Sequence, residues 1–81
     1  MLTKLKESAK VVGAKRLMKA IEAGEIRTAY VAMDADIFVT QPVIDLCRAK
    51  NIPVVEVSNM KQLGEACLIQ VPTAAAGIKR D

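Results

Sequence analysis

The chain has 81 residues, 52% of them hydrophobic, with one Tyr, one Phe, no Trp and no His. A length of this order holds one domain with a small aliphatic core, and the composition excludes a disordered polycation. The net charge of +3 and the pI near 9.1 make the chain mildly basic, which suits RNA but also many other partners.

The N-terminal Met-Leu-Thr-Lys-Leu-Lys-Glu lacks the apolar segment and cleavage site of a signal peptide. No apolar run approaches the ~20 residues of a membrane span. A cytoplasmic location without membrane contact is expected. Cys47 and Cys67 form no Cys-x-x-Cys pair and have no His to join them, so neither a zinc site nor a structural disulfide is expected.

Leu2, Leu5 and Ala9 recur at helical spacing and predict a helix over Leu2–Ala9. Val11-Val12 predicts a short strand, broken by Gly13. A second helix is expected from Ala14 to about Ala23, with Leu17, Met18 and Ile21 on a core face and Lys15, Arg16 and Lys19 opposite. Gly24 ends it. The unalternating run Thr28–Met33 predicts a strand covered on both faces. Asp34–Asp36 forms a loop. Pro42 predicts the first turn of a helix that runs to about Lys50, its apolar side formed by Val43, Ile44 and Cys47. Asn51 ends this helix and Pro53–Val57 is the next strand. Ser58 or Asn59 caps a short helix over Met60–Cys67, and Val71–Ile78 is the last strand, followed by a polar tail. This alternation predicts an α/β fold with helices on both faces of one sheet, a single domain over 1–81.

The Gly13–Lys19 stretch carries the clearest chemistry. A helix N-terminus offers unpaired N–H groups and the positive end of the macrodipole, and glycine allows close approach of another backbone. Lys15 and Lys19 stand one turn apart with Arg16 beside them, an arrangement that can hold adjacent phosphates. A solvated face of ordinary lysines accounts for the same pattern. Asp34 and Asp36 are an Asp-x-Asp pair of the kind that binds Mg²⁺ when further carboxylates or a phosphate join it; turn formation and helix capping need the same residues. No catalytic motif is present, and both cysteines fall on apolar helical faces as buried thiols. Tyr30 lies in a buried strand, which leaves Phe38 as the sole other aromatic for base stacking.

Gly13-Ala14-Lys15-Arg16-Leu17-Met18-Lys19 is followed by Ala29-Tyr-Val-Ala-Met-Asp-Ala-Asp36, then Leu46-Cys47, Asn51-Ile-Pro-Val54 and Leu63-Gly64-Glu-Ala-Cys67. This succession resembles the L-seven-Ae/L-thirty-e family of ribosomal and kink-turn RNA-binding proteins, most closely its bacterial members. The resemblance implies a three-layer α/β/α sandwich around a mixed four-stranded sheet. It implies binding to RNA duplexes bent sharply at a bulge beside tandem G·A pairs.

The residues it implicates are Gly13, Ala14, Lys15, Arg16, Lys19, Asp36, Val71, Pro72 and Thr73. Gly13 would admit the RNA backbone and Lys19 would contact it. Lys15 and Arg16 stand where archaeal members read guanine edges with Asn-Glu, and both can donate to guanine O6 and N7. Asp36 would face bulged nucleotides, and Val71–Thr73 would lie against the bulge.

The chain departs from the family pattern at Met60, where many archaeal members have lysine, and at Leu68, which replaces a glycine. It departs again at Ile37, which replaces a proline and predicts a longer or looser loop. The expected function is cytoplasmic, ribosome-associated binding of structured RNA by a monomer, with no catalysis and no cofactor. A ribosomal protein that binds another rRNA fold is one alternative. A protein-interaction module that uses the last strand and tail is another.

Overall fold

The computed structural model describes residues 9–80. The helix expected over Leu2–Ala9 lies outside them except for Ala9, which has no regular structure. In chain order the elements are β1 (Lys10–Val12), α1 (Ala14–Glu22), β2 (Ile26–Ala32), α2 (Ile37–Ala49), β3 (Val54–Val57), α3 (Met60–Ala66) and β4 (Ala75–Lys79). The four strands form one mixed sheet in the order β1-β4-β2-β3. β4 is antiparallel to both its neighbours and β2 is parallel to β3. The expected α/β/α sandwich is the fold observed.

The period of two along the strands separates the two sides of the sheet. Ala29 and Val31 of β2 and Ala75 of β4 pack with Leu17, Ala20 and Ile21 of α1 and Val43 and Cys47 of α2. Tyr30 and Ala32 of β2 and Ala76 and Ile78 of β4 pack with Leu63 and Ala66 of α3. The strand read as covered on both faces is covered on both as far as Ala32, but Met33, read as its last residue, lies past its end and is exposed. Burial raises the pKa of Tyr30, Cys47 and Cys67, whose side chains are among the least exposed in the chain. In each case loss of hydration disfavours the charged form.

Several boundaries differ from expectation. β2 starts at Ile26 rather than Thr28, because β4 extends to Lys79 and pairs with Ile26 across an irregularity. Of the residues read as a polar tail, Lys79 and Arg80 are tied down: the Lys79 N–H donates to Ala9 O at 2.9 Å, and the Arg80 backbone N–H donates to Glu25 O at 2.7 Å and its Nε to Ile26 O at 3.3 Å. β4 starts at Ala75 rather than Val71, because Pro72 has no N–H and the Thr73 N–H donates to Met60 O instead of a neighbouring strand.

α2 starts five residues before Pro42, which lies inside it. The Asp36 side chain accepts from the Phe38 N–H at 2.9 Å and caps the helix, so Ile37 follows Asp36 directly into the first turn.

All three described helices end in the same hydrogen-bond pattern. In α1, Gly24 N–H donates to Ile21 O and Glu25 N–H to Ala20 O. In α2, Asn51 N–H donates to Arg48 O and Ile52 N–H to Cys47 O; in α3, Leu68 N–H donates to Glu65 O and Ile69 N–H to Gly64 O. Each is a Schellman motif, which needs a left-handed residue just past the helix. Gly24 has φ 75°, Asn51 58° and Leu68 63°. Glycine takes this conformation freely and asparagine tolerates it, but a Cβ-bearing leucine is strained by about 1–2 kcal/mol. Leu68→Gly is expected to raise stability by roughly 0.5–1 kcal/mol after the extra chain entropy of glycine is deducted. Thermal melts of the two proteins measure it, and an unchanged or lower Tm would contradict the strain.

Candidate nucleic-acid interface

β1 leads into α1, β2 into α2 and β3 into α3, so all three helices start at the same end of the sheet. β4 begins there too. Gly13 N–H donates to Ala75 O at 2.9 Å, and Ala32 N–H donates to Ala74 O at 2.9 Å. Gly13, the start of α1, the Asp34–Asp36 loop and the 70–74 loop therefore share one end of the molecule. Of the residues that sequence implicates, Lys15, Arg16, Lys19, Asp36, Val71 and Pro72 are exposed, Gly13 and Ala14 are half-buried, and Thr73 is buried.

The three helix starts differ electrostatically. Asp36 caps α2. At α3 the Asn59 side chain accepts from Gln62 N–H at 2.7 Å, and Asp34 reaches across from the other loop to accept from Met60 N–H at 2.8 Å. Both members of the Asp-x-Asp pair thus engage helix starts, as the capping alternative required. Among the described residues no group of three acidic, Cys or His side chains could hold a metal.

No side chain caps α1. The first bond within it runs from Leu17 N–H to Gly13 O, so helix geometry leaves the N–H groups of Ala14, Lys15 and Arg16 without acceptors in the helix. Gly13 has φ 100° and ψ 140°, a conformation open to glycine alone. A Cβ built there would meet nothing within 4 Å. Its backbone angles, rather than crowding, require glycine, and the space above the helix start is open. Lys15, Arg16 and Lys19 project on the side of α1 opposite Leu17, Ala20 and Ile21, which the core holds. This arrangement presents N–H donors and exposed cations together, as binding of an anion such as a phosphate requires.

The 70–74 loop is braced from below. A Cβ at Gly64 would run into the Val71 carbonyl and crowd Pro72 Cα, so only glycine lets α3 sit under this loop. Thr73 turns inward, and its Oγ1 donates to Ala75 O at 3.0 Å. Val71 and Pro72 are left as the exposed crest.

Met33, Ile37, Phe38 and Val71 are exposed by 58, 62, 85 and 63%, and all four lie at this end. Sequence reasoning gave the first two no role, because a helix expected to start at Pro42 leaves Ile37 in a loop. The signal that could have found Ile37 is Asp36 as an N-cap, which puts an apolar turn at the surface.

The family model of the ribosomal protein L7Ae/L30e/S12e/Gadd45 family matches residues 1–81. The chain belongs to this family. It is 41% identical over 70 residues to RNA-binding protein YbxF of Geobacillus stearothermophilus, covering 86% of this chain and 85% of that one. It is 37% identical over 68 residues to an RNA-binding protein of Bacillus pumilus, covering 84% and 83%. The solved structure of the Giardia lamblia 15.5kD RNA binding protein superposes with a TM-score of 0.93 at 29% identity, covering 99% of this chain and 71% of that one. The chain is therefore similar over most of its length to proteins named as RNA-binding.

Gly64→Ala is expected to cost about 1–3 kcal/mol, because α3 and the Val71 carbonyl cannot both keep their positions. It should also weaken RNA binding if the crest takes part. Melting curves read the first effect and titration with labelled RNA below the melting range reads the second. A variant as stable as wild type would mean that the loop yields freely.

Proposed function

We propose that this L7Ae-family chain recognises kink-turn RNA, and that it does so as a cytoplasmic monomer associated with the ribosome. The observation that carries this reading is the uncapped start of α1, open above Gly13 and flanked by Lys15, Arg16 and Lys19, next to the Val71–Pro72 crest. A sharply bent RNA brings phosphates close together, and their mutual repulsion opposes the bend. Backbone N–H groups at the helix start and the Lys15/Lys19 face would offset that repulsion where it is greatest. Arg16 and Lys15 can also donate to guanine O6 and N7 in a neighbouring major groove. Asp36 and the crest would bound the space for bulged nucleotides, with Thr73 holding the crest in place. The protein would then select the bent form from an RNA ensemble of open and kinked states.

No helix among the described residues is long and apolar enough to cross a membrane. The relatives YbxF of Geobacillus stearothermophilus and that of Bacillus pumilus are named as RNA-binding proteins, which supports this reading.

A kink-turn RNA with fluorophores on its two stems tests the proposal. Wild type should raise energy transfer between the stems and should bind this RNA more tightly than a straight duplex at matched salt. The Lys15/Lys19→Ala double variant should bind at least roughly tenfold more weakly, and its salt dependence should fall by about one counterion per lysine. Equal affinity of wild type for bent and straight RNA would refute shape selection, and bending by the double variant at wild-type concentrations would refute the lysine face.

A further inference from the structure

We propose that Asp34 is a positioning residue for RNA recognition, which sets the place of the Val71–Pro72 crest by holding the start of α3. The inference rests on the reading that the crest meets RNA, and Asp34 needs no contact with RNA of its own. Asp34 is itself firmly placed. Just before it the Met33 N–H donates to Val57 O at 2.8 Å, and just after it the Ala35 N–H donates to Ala32 O at 3.3 Å. From there its Oδ1 accepts from the Met60 N–H at 2.8 Å, 26 residues further along the chain. α3 already has a local cap, because the Asn59 side chain accepts from the Gln62 N–H. A local cap moves with its helix, whereas an acceptor on another loop does not. The second acceptor therefore fixes where α3 starts relative to the end of β2.

Two contacts carry that position to the crest. The carbonyl of Met60 receives the Thr73 N–H at 3.2 Å. One turn on, Gly64 leaves room for the Val71 carbonyl to lie directly against α3. The helix is thus a platform, pinned at its start by Asp34 and bearing the loop at Met60 and Gly64. Release of the pin lets the platform shift, and the crest shifts with it relative to Gly13 and the cations of α1. Charge makes this role separable from any direct effect of the carboxylate. Asp34 is exposed at the end where RNA is read to bind. On charge alone, its removal should tighten binding to a polyanion. Positioning demands the opposite for alanine, which accepts no hydrogen bond, and no loss for asparagine, whose Oδ1 can accept in the same place.

The test titrates a kink-turn RNA with wild type, D34A, D34N and V71A/P72A, and with D34A combined with V71A/P72A or with K15A/K19A. All are measured below their melting range, and circular dichroism checks that each is folded. D34A should bind roughly three- to tenfold more weakly than wild type, and D34N at least as tightly as wild type. With the crest truncated, D34A should cost nothing more, whereas on the K15A/K19A background it should cost its full factor. Amide hydrogen exchange at Thr73 should speed up in D34A and stay at the wild-type rate in D34N. D34A that binds as tightly as wild type overturns the proposal, as does D34N that binds as weakly as D34A. So does a D34A loss of the same size with and without the crest, which marks a cap that only stabilises the fold. V71A/P72A that binds like wild type takes the crest out of the interface, and the role of Asp34 falls with it. That outcome is read from the crest variant and not from D34A, so failure of the underlying reading is distinguishable from failure of the positioning.

Discussion

Leu17 seated over Gly77 is the contact on which the geometry of the working end depends. A Cβ at Gly77 would stand 2.5 Å from Leu17 Cδ1 and 3.3 Å from two carbons of Ile26. Glycine at this point lets α1 settle directly onto β4. Alanines at 29, 75 and 76 continue the same low surface on both sides of the sheet. The helix is thereby held in register with β4, and the Gly13 N–H meets Ala75 O. The start of α1 and the 70–74 loop are fixed beside each other by packing in the middle of the molecule, remote from any ligand.

The end of the sheet so formed has a division of labour. Three helices begin there, and in two of them side chains accept from first-turn N–H groups: Asp36 in α2, Asn59 and Asp34 in α3. These caps tie the loops to each other, since Asp34 spans from the β2 loop to α3 and Met60 O in turn receives the Thr73 N–H. The third start is left without a cap, and the exposed cations of that helix stand on the same element. Capping thus lends rigidity to two helices and withholds it where donors remain available. The same carboxylates make the α2 side unfavourable for phosphate, so cationic and apolar surfaces stand next to each other without mixing.

Leu68 and Gly64 bear on the cost of this arrangement. Leu68 occupies a left-handed cap position that glycine fills more easily. Gly64 occupies a mid-helix position that alanine would ordinarily favour, but the Val71 backbone lies against it. One residue carries a side chain where the backbone would prefer none, and the other lacks one because a neighbouring loop needs the room. Only the second is explained by the contacts around it; nothing in the structure explains the leucine.

Much of the fold was legible in the residues alone. The apolar run Thr28–Met33 could only be a doubly covered strand, Gly24 and Asn51 mark helix ends by their tolerance of positive φ, and Leu17 and Ile21 give α1 its buried side. The family followed from the ordered succession of such motifs. Local signals failed where a distant partner decides. Pro42 read as a helix start because proline fits a first turn, yet the Asp36 cap draws the helix five residues back. Val71–Thr73 read as strand by composition, yet α3 takes its hydrogen bond and its space. The sequence by itself determined the elements, their sides and the basic character of α1, because periodicity and charge are local properties. Only the tertiary structure decided that the 70–74 loop stands beside the start of α1. That placement depends on β4 closing the sheet between β1 and β2, strands far from it along the chain.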